Sequence, residues 1–195
     1  MTKIRLIGFL VALCVGCGPA SQQADLKHIG KIKLQQLNGQ HFSLADSLKS
    51  LNVVYFFAPE CPLSENYCLA ANLLAEKAGR DKVMHLAVVP GNYFSAGAVL
   101  DFARRFQLEI PIVRDTSWQL SRQMRARVTP EVVIFDQNER FLYQGAIDNW
   151  VFELGKKRQH ITHHYADTVL MSALNGSPLP PGSTKAIGCF IEYPN

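Results

Sequence analysis

The sequence predicts an α/β fold in which a mixed central sheet is flanked by helices, and three observations carry that expectation. Val53-Val54-Tyr55-Phe56-Phe57 and Val83 to Val89 are continuous apolar, β-prone runs, as expected of strands covered on both faces. Helix-forming stretches follow them: Ser64 to Lys77, with an apolar stripe at Tyr67, Ala70, Leu74 and Ala78, and then Ala96 to Phe106. Val132 to Phe135 and Phe141 to Tyr143 flank the turn Asp136-Gln137-Asn138-Glu139 and read as an antiparallel pair. Strand, helix, strand, helix, then a hairpin and a helix, is the order of a layered α/β domain.

The other elements follow in chain order. Asn38-Gly39, between Ile32 to Leu37 and His41 to Leu44, is a hairpin signal because both residues tolerate positive φ. Ile110 to Val113 is a short third strand, followed by a helix from Ser117, a residue suited to an N-cap, to about Arg125. Tyr165 to Leu174 is a last helix, stopped by Asn175-Gly176. Beyond it Pro178, Pro180, Pro181 and Gly182 forbid a helix, so the tail bearing Cys189 is free to fold back over the domain. No repeat or Pro/Gly-rich linker divides residues 29 to 195, and one domain is the economical reading.

Composition narrows the class. A chain of 195 residues, 48% hydrophobic and 18% charged, argues against disorder, and a net charge of +4 is too small and too dispersed to imply a nucleic-acid partner. Five cysteines are too few for a disulfide-stapled scaffold of this size and, being odd, leave one thiol outside any intramolecular pairing. At the N-terminus Lys3 and Arg5 precede an apolar stretch from Leu6 to Val15, a secretory signal too short to span a bilayer. Cys14-Val15-Gly16-Cys17 resembles a bacterial lipobox, departing from it where Cys14 replaces the usual Leu. That resemblance implies a signal peptide over residues 1–16, a lipidated Cys17, a tether over 17–28 and a domain over 29–195. Cleavage after Ala20 and lipidation at Cys14, which bulky Leu13 precedes, are the competing readings. The expected site is the cell envelope, periplasm-facing and anchored to the outer membrane in a Gram-negative cell. Cys61, Cys68 and Cys189 then work in an oxidising compartment.

Cys61 falls just past a buried strand, at the start of a helix, with Pro62 suited to the first helical turn. Unpaired backbone N–H groups and the helix dipole there stabilise a thiolate. Burial as a small hydrophobe is the competing fate of an isolated cysteine. Glu-Cys-Pro-x-Ser after a strand, with Arg127-Val128-Thr129-Pro130-Glu131 before another, resembles the thioredoxin-like superfamily. More narrowly, Pro59-Glu60-Cys61-Pro62, Val128-Thr129-Pro130, Tyr143-x-Gly145-x-Ile147-Asp148-Asn149 and Thr184 to Ile191 resemble its redoxin branch, the AhpC/TSA and TlpA-like proteins. The resemblance implies a thioredoxin-like fold, a cis Pro130 beside a catalytic Cys61, Thr129 offering its backbone to a bound peptide, and Cys189 as the second marked cysteine. It implies no cofactor, and protein thiols and disulfides of the envelope as partners.

The departures matter as much. Ser64 stands where the second thiol of Cys-x-x-Cys would be, so a simple dithiol reductase is disfavoured. Cys68, seven residues along a helix rising about 1.5 Å per residue, is about 10 Å from Cys61, beyond the roughly 7 Å that a disulfide allows, and reads as helix packing. Within the resemblance, Cys189 is expected to approach Cys61 as resolving thiol or as standing disulfide. Thiol peroxidase activity is the first alternative, though Ala58 and Val54 occupy the positions of the hydroxyl and proline of peroxiredoxins. Other readings are a Sco-like copper protein, with a soft-metal set of Cys61, Cys189 and His163, and a non-catalytic binding module. His160, His163 and His164 share one helical face only if the last helix begins that early; otherwise they are a solvated approach to it.

Overall fold

The protein is described by a computed structural model covering residues 24–194. A hairpin, β1 (Lys33–Gln35) and β2 (His41–Ser43), turns at Gly39 with φ 86°. Then come α1 (Leu44–Ser47), β3 (Leu51–Phe56), α2 (Pro62–Ala78), β4 (Val83–Pro90), α3 (Ala96–Arg105), β5 (Ile112–Asp115) and α4 (Gln119–Gln123). The chain continues through β6 (Val128–Thr129), β7 (Glu131–Asp136), β8 (Phe141–Gly145), β9 (Val151–Glu153), β10 (Lys156–Lys157), α5 (Tyr165–Leu174) and β11 (Cys189–Phe190).

The main sheet is mixed, in the order β2-β1-β5-β4-β3-β7-β8. β3, β4 and β5 are parallel, as the two crossover helices require, while β7 and β8 return antiparallel. Every residue of β3 and β4 is buried because both faces of the sheet are covered. On one face Val53 and Tyr55 pack with Tyr67, Ala71 and Leu74 of α2 and Val169 and Leu170 of α5. On the other, Val54 and Phe56 pack with Leu26, Ile29, Leu44 and Leu120. Alternation along one strand thus feeds two cores, each buried Leu, Val or Phe contributing about 1.5–3 kcal/mol.

Three boundaries differ from expectation. The third strand is Ile112–Asp115 rather than Ile110 to Val113. The short helix after it is capped neither by Ser117 nor by any side chain at its N-cap, Trp118. Instead the Asp115 carboxylate accepts the Ser121 N–H at 2.8 Å, while the Trp118 ring donates to the Glu192 carbonyl at 3.0 Å, so tertiary contacts override the local cap. The expected tether over 17–28 is too long at its C-terminal end: Leu26 is buried and the Asp25 N–H donates to the Gln123 carbonyl at 2.9 Å. Cys14, Cys17 and the signal segment lie outside the described residues. Among the described residues, no helix is long and apolar enough to cross a membrane.

Candidate active site

β3 delivers the chain into the turn Ala58-Pro59-Glu60-Cys61, closed by the Cys61 N–H on the Ala58 carbonyl at 3.1 Å. Cys61 is the N-cap of α2, and Pro62 occupies the first turn, where a missing N–H costs nothing. Ser64 is fully buried beneath the turn and its hydroxyl accepts the Ala58 N–H at 3.1 Å. The Cys61 Sγ, 1% exposed, lies 3.0 Å from the Thr129 carbonyl, to which the protonated thiol donates. The Thr129–Pro130 peptide beside it is cis.

The C-terminal tail closes the site from above. β11 pairs antiparallel with β6 in a register that sets Cys189 opposite Thr129 and Phe190 opposite Val128. Gly188 makes the approach possible, since a Cβ there would stand 2.1 Å from the Thr129 carbonyl oxygen. The strap is pinned on both sides of Cys189. Upstream, the Thr184 hydroxyl accepts the Ala146 N–H at 3.0 Å and bonds Tyr143; downstream, the Ile191 N–H reaches the Arg127 carbonyl at 3.0 Å and the Tyr193 hydroxyl reaches Ala126 at 2.6 Å. Gly145, φ 150°, admits Thr184, whose carbonyl a Cβ would meet at 2.4 Å.

Electrostatics make the two thiols unequal. Burial pushes the Cys61 thiol up, but hydrogen bonds from the Cys189 thiol and from the Ser64 N–H and hydroxyl outweigh it and hold Cys61 below the ordinary thiol range. Cys189 is pushed up to about 12, first by burial and then by Cys61. Of the two, Cys61 is therefore the more readily ionised, with Cys189 as a hydrogen-bond donor to it. Cys68 sits inside the core, its Sγ 3.4 Å from the Ser64 carbonyl and its thiol pushed up to about 12 by burial and then Glu65.

The structure therefore gathers Cys61, Ser64, Thr129, Pro130 and Cys189 around one point. His163 is elsewhere: it bonds Asn149 at 3.1 Å and stacks on Tyr165, outside the cavity that holds the two cysteines. Among the described residues, no three His, Cys, Asp or Glu side chains form a metal-holding group, so the set Cys61, Cys189 and His163 is not assembled. The three histidines share no helical face, because α5 starts only at Tyr165. Asp148 ties a turn, accepting the Tyr67 hydroxyl at 2.6 Å and the Trp150 N–H at 2.8 Å. Sequence reasoning missed the roles of Gly188, Gly145 and Thr184, for which the signal was glycines outside any turn pattern. It also missed Glu131, a buried carboxylate accepting the Arg127 N–H at 2.7 Å.

A cysteine at a helix N-terminus beside a cis-proline, on a mixed sheet covered by helices, is the arrangement of a thioredoxin-like redoxin. The AhpC/TSA family matches residues 27–144, and the chain belongs to that family. Solved structures similar in fold include an uncharacterized conserved protein from Geobacillus kaustophilus, 21% identical over 84% of this chain and 88% of that one, TM-score 0.72. A hypothetical protein from Sinorhizobium meliloti 1021 is 20% identical over 83% and 90%, TM-score 0.72. An exposed lipoprotein thioredoxin from Streptococcus pneumoniae strain TIGR4 is 19% identical over 57% and 85%, TM-score 0.50. No curated protein matches the chain.

Proposed function

We propose that the protein is a thiol–disulfide oxidoreductase of the cell envelope that acts on protein thiols through the couple Cys61 and Cys189. The observation that carries this reading is the pairing of a thiolate-prone Cys61 with Cys189 opposite Thr129, beside the carbonyl that faces Cys61. The Cys61 thiolate attacks one sulfur of a substrate disulfide, forming a mixed disulfide and releasing the other sulfur as a thiolate. Cys61 then carries no charge, so its part in raising the Cys189 pKa is gone and only burial still opposes ionisation. Cys189 loses its proton to the released thiolate and attacks the Cys61 sulfur. The substrate leaves as one thiol and one thiolate, the latter taking its proton from water, and a Cys61–Cys189 disulfide remains for an external dithiol to reduce. Ser64 in place of a second helix cysteine fits this route, with the resolving thiol supplied by the strap.

Family membership favours a second reading, thiol peroxidase, with the same cysteine attacking a peroxide. Against it, Ala58 offers no hydroxyl and its N–H is taken by Ser64. One preparation tests both: with dithiothreitol as donor, the wild type reduces insulin, Cys61→Ala does not, and Cys189→Ser accumulates a mixed disulfide visible by mass. Peroxide consumption that exceeds insulin reduction and vanishes in Cys61→Ala establishes the peroxidase instead. The lipobox-like Cys14 to Cys17 supports an envelope location, anchored through Cys17.

A further inference from the structure

The mouth over the two cysteines has a composition of its own. A cavity of about 290 Å³ has Cys61, Cys189 and Thr129 in its wall and Tyr93, Phe94, Phe190, Glu60 and Glu192 around them. Among the described residues no lysine or arginine lines it. Phe190 is 81% exposed and Tyr93 58%, large aromatic surfaces that water covers only at a cost. Glu60 and Glu192 are both exposed, and neither has an ion-pair partner among the described residues.

The backbones that carry these groups are held. Glu60 rides on the closed Ala58–Cys61 turn, and the Glu192 carbonyl is fixed by the Trp118 ring N–H at 3.0 Å. The same Trp118 packs edge-on against Tyr93 with centroids 5.6 Å apart, and it reaches there because Gly91 leaves room: a Cβ at Gly91 would meet its ring at 2.6 Å. One indole thus sets the aromatic wall and an acidic rim residue together. In a chain of net charge +4, two free carboxylates and no cation around a reactive thiol form a local field of opposite sign to the whole.

We propose that this mouth selects its partner: a protein segment whose exchanging cysteine is flanked by Lys or Arg and by an apolar residue. The inference rests on the thiol-exchange reading and names the substrate class of that site. The cation meets Glu60 and Glu192, the apolar neighbour covers Phe190 and Tyr93, and the cysteine sulfur enters between them to Cys61. The exchange itself is the one already written: one bond forms between Cys61 and the entering sulfur, and the second sulfur of the partner disulfide leaves as thiolate. Anionic disulfides are repelled by the same two carboxylates.

The test uses the full domain, reduced, and four disulfide-linked tripeptide dimers: Phe-Cys-Lys, Phe-Cys-Glu, Ser-Cys-Lys and Ser-Cys-Glu, with blocked ends. Second-order rates are divided by those of 2-mercaptoethanol with the same peptides, which removes intrinsic differences between the disulfides. At low ionic strength the Lys peptides are expected to exceed the Glu peptides by about tenfold, and the Phe peptides the Ser peptides by about threefold. The charge preference shrinks towards unity in about 0.5 M salt and in the Glu60→Gln/Glu192→Gln double variant. Equal normalised rates for all four, or a charge preference that survives in the double variant, overturns the proposal. No reaction with any of the four, with Cys61 alkylatable in the same sample, overturns the exchange reading and the proposal falls with it.

Discussion

At Cys61 two effects of opposite sign compete within one side chain. Burial raises a thiol pKa, and at Cys68 burial, followed by Glu65, pushes the thiol up to about 12. Cys61 is equally buried, yet the Cys189 thiol and Ser64 convert its surroundings from apolar to hydrogen-bonding. Two expectations follow for alkylation by iodoacetamide, mapped by mass. In the native protein Cys61 reacts with a midpoint below the ordinary thiol range, while Cys68 stays unmodified until denaturant is added. Replacing Cys189 with Ala removes the largest lowering contribution and leaves burial, so the Cys61 midpoint rises. Once the midpoint lies above the assay pH, each further unit of rise cuts the thiolate fraction about tenfold. Unchanged Cys61 kinetics in Cys189→Ala shows that Cys189 does not solvate the thiolate.

Among the elements, the sequence was most legible where periodicity alone decides the structure. β3, β4, α2 and α5 bury whole faces, and their composition shows it: α5 runs from Tyr165 to Leu174 as the pattern indicates. The two-residue strands β6 and β11 carry no periodicity, yet they build the site, because their pairing is set by Gly188 meeting Thr129 across a long sequence separation. Gly188→Ala places a methyl group 2.1 Å from the Thr129 oxygen, which forces β11 away from β6. Intramolecular Cys61–Cys189 disulfide formation is expected to slow at least about tenfold while circular dichroism of the domain persists, since the main sheet does not include β11. Between β3 and β4, the Tyr55 hydroxyl and His85 Nδ1 are 3.1 Å apart in the core. Burial first, then Arg80 and Lys49, lower the His85 pKa from 6.5 to about 4. His85 is therefore neutral in the fold and charged in the unfolded chain between those values. Stability is full above pH 6.5 and falls by on the order of 3 kcal/mol as pH drops to about 4. Glu131 and Asp115, raised by burial, act with the opposite sign. The wild type minus His85→Gln difference in urea midpoint, measured at neutral pH and near pH 4.5, isolates the histidine; an equal difference at both pH values contradicts the assignment.

At the scale of the whole molecule, the family match ends at residue 144, and the cysteine strap comes from beyond it. What sequence could not supply was the route of that strap, since prolines exclude a helix without saying where the chain goes. The route ends at α4, where Arg122 bonds the Pro194 carbonyl and Trp118 the Glu192 carbonyl. The other end of the described chain arrives at the same helix, with Asp25 on the Gln123 carbonyl, and Ala24 and Ile191 pack against one core. Both ends therefore converge beside the strap. If Cys17 carries lipid, the seven steps from it to Ala24 reach at most about 25 Å, which confines the α4 side of the domain, strap included, to the neighbourhood of the bilayer. Partners would then be proteins exposed at that surface. Cys17→Ala is expected to abolish palmitate labelling and move the protein from the membrane to the soluble fraction. Its exchange rate on soluble disulfides should stay that of the wild type, because residue 17 precedes the domain. Labelling that persists in Cys17→Ala and disappears in Cys14→Ala shifts the anchor to Cys14; labelling of neither the wild type nor any variant means that the domain works unanchored, and the limit on its reach disappears.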